Sequence, residues 1–77
     1  MKVSARNQLR AKVTRISRGE AIANVELDVS GQRMVSSITV EAVEELGLEE
    51  DSEVLVLVKA SDVLLATDGP DLEGRSP

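Results

Sequence analysis

The sequence predicts a small, mainly β barrel with one short helix, on three observations. Its 77 residues make one small domain, against about 150 for a typical one. Apolar and polar side chains alternate with period two over residues 9–16 and again over 22–29, as in half-buried strands. A helical stretch over 39–47 then interrupts the β pattern before an apolar run at 54–58.

In the first alternation Leu9, Ala11 and Val13 face one way and Arg10, Lys12 and Thr14 the other. The stretch Arg18-Gly19-Glu20 breaks it, with Gly19 expected to supply a positive φ for the turn. Ala23, Val25, Leu27 and Val29 then oppose Ile22, Asn24, Glu26 and Asp28, and Ser30-Gly31-Gln32 signals a tight hairpin. A third strand is expected over 33–39. Thr39 can cap a helix whose third position is Ala42, acids fall in the first turns where the dipole favours them, and Gly47 suits the C-terminal cap. Val43, Leu46 and Leu48 form its apolar stripe. The run 54–58 is expected to be buried on both faces, and 63–66 to form a last short strand. The order β-β-β-α-β-β predicts a five-stranded OB-like Greek-key barrel with the helix between strands 3 and 4. Residues 1–67 make the domain, and 68–77 are expected to be a disordered tail.

Composition excludes several chemistries. The chain has no Cys, His, Trp, Tyr or Phe. Disulfides are ruled out, a zinc site would have only carboxylates, and Ser-His and Cys-His nucleophiles are absent. Aromatic platforms for stacking bases are missing too. The expectation is a binding protein rather than an enzyme, with no metal site and no organic cofactor. A core built from Val, Leu, Ile and Ala in so short a chain gains stability by association, so a homo-oligomer is expected. The N-terminus has no apolar targeting segment and no run approaches the ~20 residues of a membrane span, which gives a cytoplasmic reading without a membrane partner.

The net charge of −5 is unevenly spread. Residues 1–18 carry Lys2, Arg6, Arg10, Lys12, Arg15 and Arg18 and no acid, a local +6; residues 19–77 carry three bases and fourteen acids, a local −11. Such asymmetry points to an anionic partner for the first segment, or to acidic strands of this or a neighbouring subunit. A nucleic acid is disfavoured by the net charge and by the missing aromatics.

Three segments gather hydrogen-bond donors at expected strand ends and turns: Ser4-Ala5-Arg6-Asn7, Ser37-Ile38-Thr39 and Lys59-Ala60-Ser61. Fixed charge from Arg6 and Lys59, hydroxyl protons and loop amides suit a fully deprotonated tetrahedral oxyanion. A protonated phosphate would leave its own O–H without an acceptor there. Taken singly, these residues also have ordinary explanations: a surface ion pair for Arg6, a snorkelling edge charge for Lys59, a turn cap for Ser61.

Residues 1–13, Met-Lys-Val-Ser-Ala-Arg-Asn-Gln-Leu-Arg-Ala-Lys-Val, closely resemble the opening of the molbindins, the small molybdate-binding Mop proteins, whose signature is Ser-Ala-Arg-Asn-Gln before a strand. The likeness continues through residues 37–48 and 54–63 and covers about 2–67. It implies an OB-like molybdate/tungstate-binding domain, also found within transcription regulators and transport ATPases, whose stand-alone members are cytoplasmic homohexamers, trimers of dimers, that bind the anion between subunits. Carried over by position, Ser4, Ala5, Arg6 and Asn7 match the N-terminal binding motif, and Lys59, Ala60 and Ser61 the segment whose lysine and amides meet the anion. Thr39, with Ser37 and Ala42 near it, matches the contribution from the neighbouring subunit. Ile22 stands where the family has an Asn, which puts a second class of site in doubt. The resemblance therefore implies non-catalytic binding of molybdate or tungstate for storage and buffering. The alternative is an oligomeric interaction or regulatory module with the anion as effector.

Overall fold

The computed structural model describes residues 1–68. Ser30 and Gly31 both take positive φ, 50° and 88°, the type I′ geometry whose twist matches that of paired strands. This turn joins β2 (Ile22–Val29) to β3 (Gln32–Thr39) and sets every pair between them, from Val29↔Gln32 to Ile22↔Thr39. β1 (Asn7–Arg18) pairs antiparallel with β2 on one side and with β4 (Glu53–Val58) on the other, so the sheet runs β3-β2-β1-β4.

Gly19 works differently from the expectation. Its φ is not in the positive region; instead its N–H donates to the Ile22 carbonyl at 2.8 Å, and a Cβ there would meet that oxygen at 3.0 Å. The small residue is needed for close approach. β1 also contains a bulge that the alternation does not reveal: Val13 pairs with Leu27 but Arg15 with Glu26, leaving Thr14 as the extra residue, its Oγ1 donating to the Glu26 carbonyl at 3.2 Å. The insertion rephases the strand, so Ile16 instead of Arg15 joins the core side.

α1 (Val40–Leu46) is capped at both ends as its sequence indicates. Thr39 Oγ1 accepts from the Ala42 N–H at 3.0 Å, and Gly47 sits in the left-handed region with φ 65°. The Leu48 N–H donates to the Val43 carbonyl and the Gly47 N–H to that of Glu44, both at 3.1 Å, a Schellman closure. Val43 is fully buried. Leu46, expected on the same stripe, is 68% exposed: it is the last residue of the helix, and only Val43 on this element is buried. The core is Ala11, Val13, Ala23, Val25, Leu27 and Val43.

Two expectations are corrected. β4 is not buried on both faces: Val54, Val56 and Val58 are half-buried while Leu55 and Leu57 are exposed, because the core lies against one face of the sheet only and no described element packs on the other. Residues 63–66 form no fifth strand. The chain leaves β4 through a 3-10 turn, Ala60–Asp62, and Leu64 and Leu65 stay in solvent. The sheet is accordingly four-stranded and open between β3 and β4 among the described residues. The expected tail falls, from residue 69 on, outside the described residues.

Candidate anion site

The β1–β4 register builds one half of the site. Asn7 is paired with Val58 and its Nδ2 donates to the Val58 carbonyl at 3.2 Å. Arg6 and Lys59, one residue beyond each partner, therefore leave the sheet at the same end. Ala5 is buried, 8% exposed, and its carbonyl accepts from Gln8 Nε2 at 3.5 Å. This anchor pins the N-terminal loop while Ser4 and Arg6 on either side stay exposed. On the other strand, Lys59 caps the 3-10 turn with extended backbone, φ −65° and ψ 140°, and gives no side-chain capping bond. The first amides of a helical turn, here those of Ala60 and Ser61, have no acceptor within it. Ser61 is exposed beside them.

Charge favours an anion here. Among the described residues the ion pair is Arg33–Glu26, at 3.3 Å; neither Arg6 nor Lys59 has a carboxylate within 4.0 Å. Two cations unpaired among the described residues, two hydroxyls able to turn their protons outward and free amides make a donor-rich cluster, suited to an acceptor-only ligand. Among the described residues no group of three or more acidic side chains is placed to hold a metal ion.

The remaining expected residues lie elsewhere. Thr39 pairs with Ile22, beside the Arg18 end of β1 where Arg18 pairs with Ala23. Arg6 adjoins the opposite end. The 12-residue β1 spans about 40 Å at ~3.3 Å per residue. One chain thus brings the segments 4–7 and 59–61 together and holds Ser37, Thr39 and Ala42 apart from them. Thr39 Oγ1 accepts from the Ala42 N–H, so its own O–H proton is left to donate outward, while the Ala42 amide is already used. Ser37 has spent its one proton, donating to Asn24 Oδ1 at 2.5 Å. Asn24 is the polar neighbour that sequence reasoning passed over. Its pairing with Ser37 follows by counting outward from the Ser30-Gly31 turn.

Residues 3–65 match the TOBE domain family. The chain is 41% identical over 66 residues to molybdenum-pterin-binding protein 2 of Clostridium pasteurianum, covering 84% of this chain and 97% of that one. It is equally 41% identical over 69 residues to a probable molybdenum-pterin-binding protein of Haemophilus influenzae, covering 88% and 100%. Among solved structures, a molybdate-binding protein from Sporomusa ovata superposes with a TM-score of 0.84 at 36% identity, over 87% of this chain and 100% of that one. ModG, a cytoplasmic molybdate-binding protein with molybdate bound, superposes with 0.78 at 38% identity, over 83% and 46%.

Proposed function

The chain belongs to the TOBE domain family, and on that premise we propose that it binds molybdate as the free oxyanion, without chemistry on it, to store and buffer it in the cytoplasm. The observation that carries this reading is the Asn7–Val58 pairing, which sets Arg6 and Lys59 side by side with no carboxylate of the described residues within 4.0 Å of either. Ser4, Ala5, Arg6, Asn7, Lys59, Ala60 and Ser61 supply one half of the site. Thr39, with Ser37 and Ala42 near it, supplies the other half from a second copy, which is how the distance along β1 is bridged. A homohexamer built as a trimer of dimers accommodates such shared sites. Tungstate, an anion of nearly the same size and charge, meets the same donors. The relatives' names include a pterin, but this chain has no aromatic ring on which a pterin could stack, which favours the bare anion.

Calorimetric titration of anion-stripped protein tests the proposal, with sulfate and phosphate as controls. Each charge-assisted hydrogen bond contributes about 1.5–3 kcal/mol, so Arg6→Ala should weaken molybdate binding roughly tenfold to a hundredfold without changing the β-sheet circular dichroism signal. Unchanged affinity in Arg6→Ala, or no molybdate heat in the parent protein, would overturn the assignment.

A further inference from the structure

Asn7 and Val58 form the last rung of the β1–β4 ladder. Beyond it the two strands part, residues 1–6 on one side and the 3-10 turn Ala60–Asp62 on the other. Among the described residues no backbone hydrogen bond outside the strands reaches residues 1–6. At this end the strands are also joined by a side chain, the Asn7 Nδ2 that donates to the Val58 carbonyl at 3.2 Å. Both residues are half-buried, so water competes less for that bond than it would on an open surface.

The rung carries an electrostatic load. Arg6 and Lys59 follow it directly, one on each strand, and neither has a carboxylate of the described residues within 4.0 Å. Like charges on neighbouring strands repel, and a ladder opens most easily at its ends. The Asn7 bond opposes that opening. It also acts on the turn. The Val58 carbonyl belongs to the planar peptide that enters Lys59, so holding its oxygen fixes the plane from which Lys59 departs. Lys59 itself is extended there and makes no side-chain capping bond.

We propose that Asn7 is a positioning residue, which holds Arg6 and Lys59 at one spacing through the Val58 carbonyl and does not itself touch the anion. The ligand in this inference rests on the molybdate reading. One Nδ2 proton of Asn7 is spent on Val58, and its Oδ1 is an acceptor, which an acceptor-only ligand cannot bond. Setting two cations in place beforehand raises affinity by lowering the ordering cost of binding, with no added contact.

The test is Asn7→Leu, close in size and without a donor, titrated calorimetrically with sodium molybdate alone and in combination with Arg6→Ala. By itself Asn7→Leu should weaken binding about three- to tenfold, the range of one lost hydrogen bond. In the Arg6→Ala background the same change should cost less than about twofold, because no pair of cations is left to hold. Equal losses in the two backgrounds would mean that Asn7 touches the anion or merely steadies the fold. Either that result or undiminished affinity in Asn7→Leu overturns the proposal. Without anion, the backbone amide NMR shifts of Asn7→Leu should move at residues 5–6 and 59–61 and stay at α1 and the Ser30-Gly31 turn. Shifts that move throughout the chain mark a general loss of structure and overturn it too. In the anion-free parent protein, one of the two Asn7 Nδ2 protons should exchange with water more slowly than the other. Equal exchange overturns the proposal even if Asn7→Leu fails to fold. If the parent gives no heat with molybdate, the molybdate reading fails, while the exchange rates still decide whether the clamp exists.

Discussion

Thr39 shows how one hydroxyl can serve two purposes. Its oxygen accepts from the Ala42 N–H and its proton remains available, whereas the proton of Ser37 is held by Asn24. The two neighbours should therefore respond differently to removal. Thr39→Ala should weaken molybdate binding about tenfold, as expected for one charge-assisted bond, and should also cost ~1 kcal/mol of stability through the lost cap. Ser37→Ala should change the affinity by less than about threefold, the scatter expected when no bond to the ligand is lost. Calorimetry and thermal melts on the two variants and on Thr39→Ser, which keeps both functions, check the distinction. Thr39, Arg6 and Lys59 were legible as candidates because strand ends and caps have sequence signatures. The Ser37–Asn24 bond was not, since it depends on which side chains share one face after the hairpin has set the register.

At the scale of elements, the hairpin and the helix were readable because their chemistry is local. Ser30-Gly31 needs only two residues at positive φ, and α1 needs only Thr39 and Gly47 at its ends. A seven-residue helix has little intrinsic stability, so its closure matters. Nothing lies within 4 Å of a Cβ added at Gly47; only its left-handed backbone resists substitution. Gly47→Ala should therefore cost about 1–2 kcal/mol and lower the melting midpoint by roughly 4–15 °C, a shift that differential scanning calorimetry can read. The β1 bulge and the fate of 63–66 were hidden for a different reason. Alternation counts residues along one strand, and it cannot register an extra residue opposite a partner. Four apolar residues likewise look the same whether they pair as a strand or lie beyond the sheet, as Leu64 and Leu65 do.

The whole molecule is electrically divided. The six bases of residues 1–18 have no carboxylate of the described chain within 4.0 Å, while acids cluster on α1 and the turn after it, at Glu41, Glu44, Glu45, Glu49, Glu50 and Asp51. Charges left uncompensated within a chain attract the opposite charges of another copy. Association measured by sedimentation should weaken on going from low salt to about 1 M, where the Debye length is about 3 Å. Unchanged association across that range would show that the charge division has no part in assembly. The separation of Thr39 from Arg6 along β1 carries a further implication for supply and demand. If the proposed sharing of a site between copies holds, capacity follows the number of assembled copies, and where the copies are dilute enough to separate it rises faster than in proportion to the amount synthesised. Expression level would then set a threshold on the free anion, above which it is captured and below which it is left in solution.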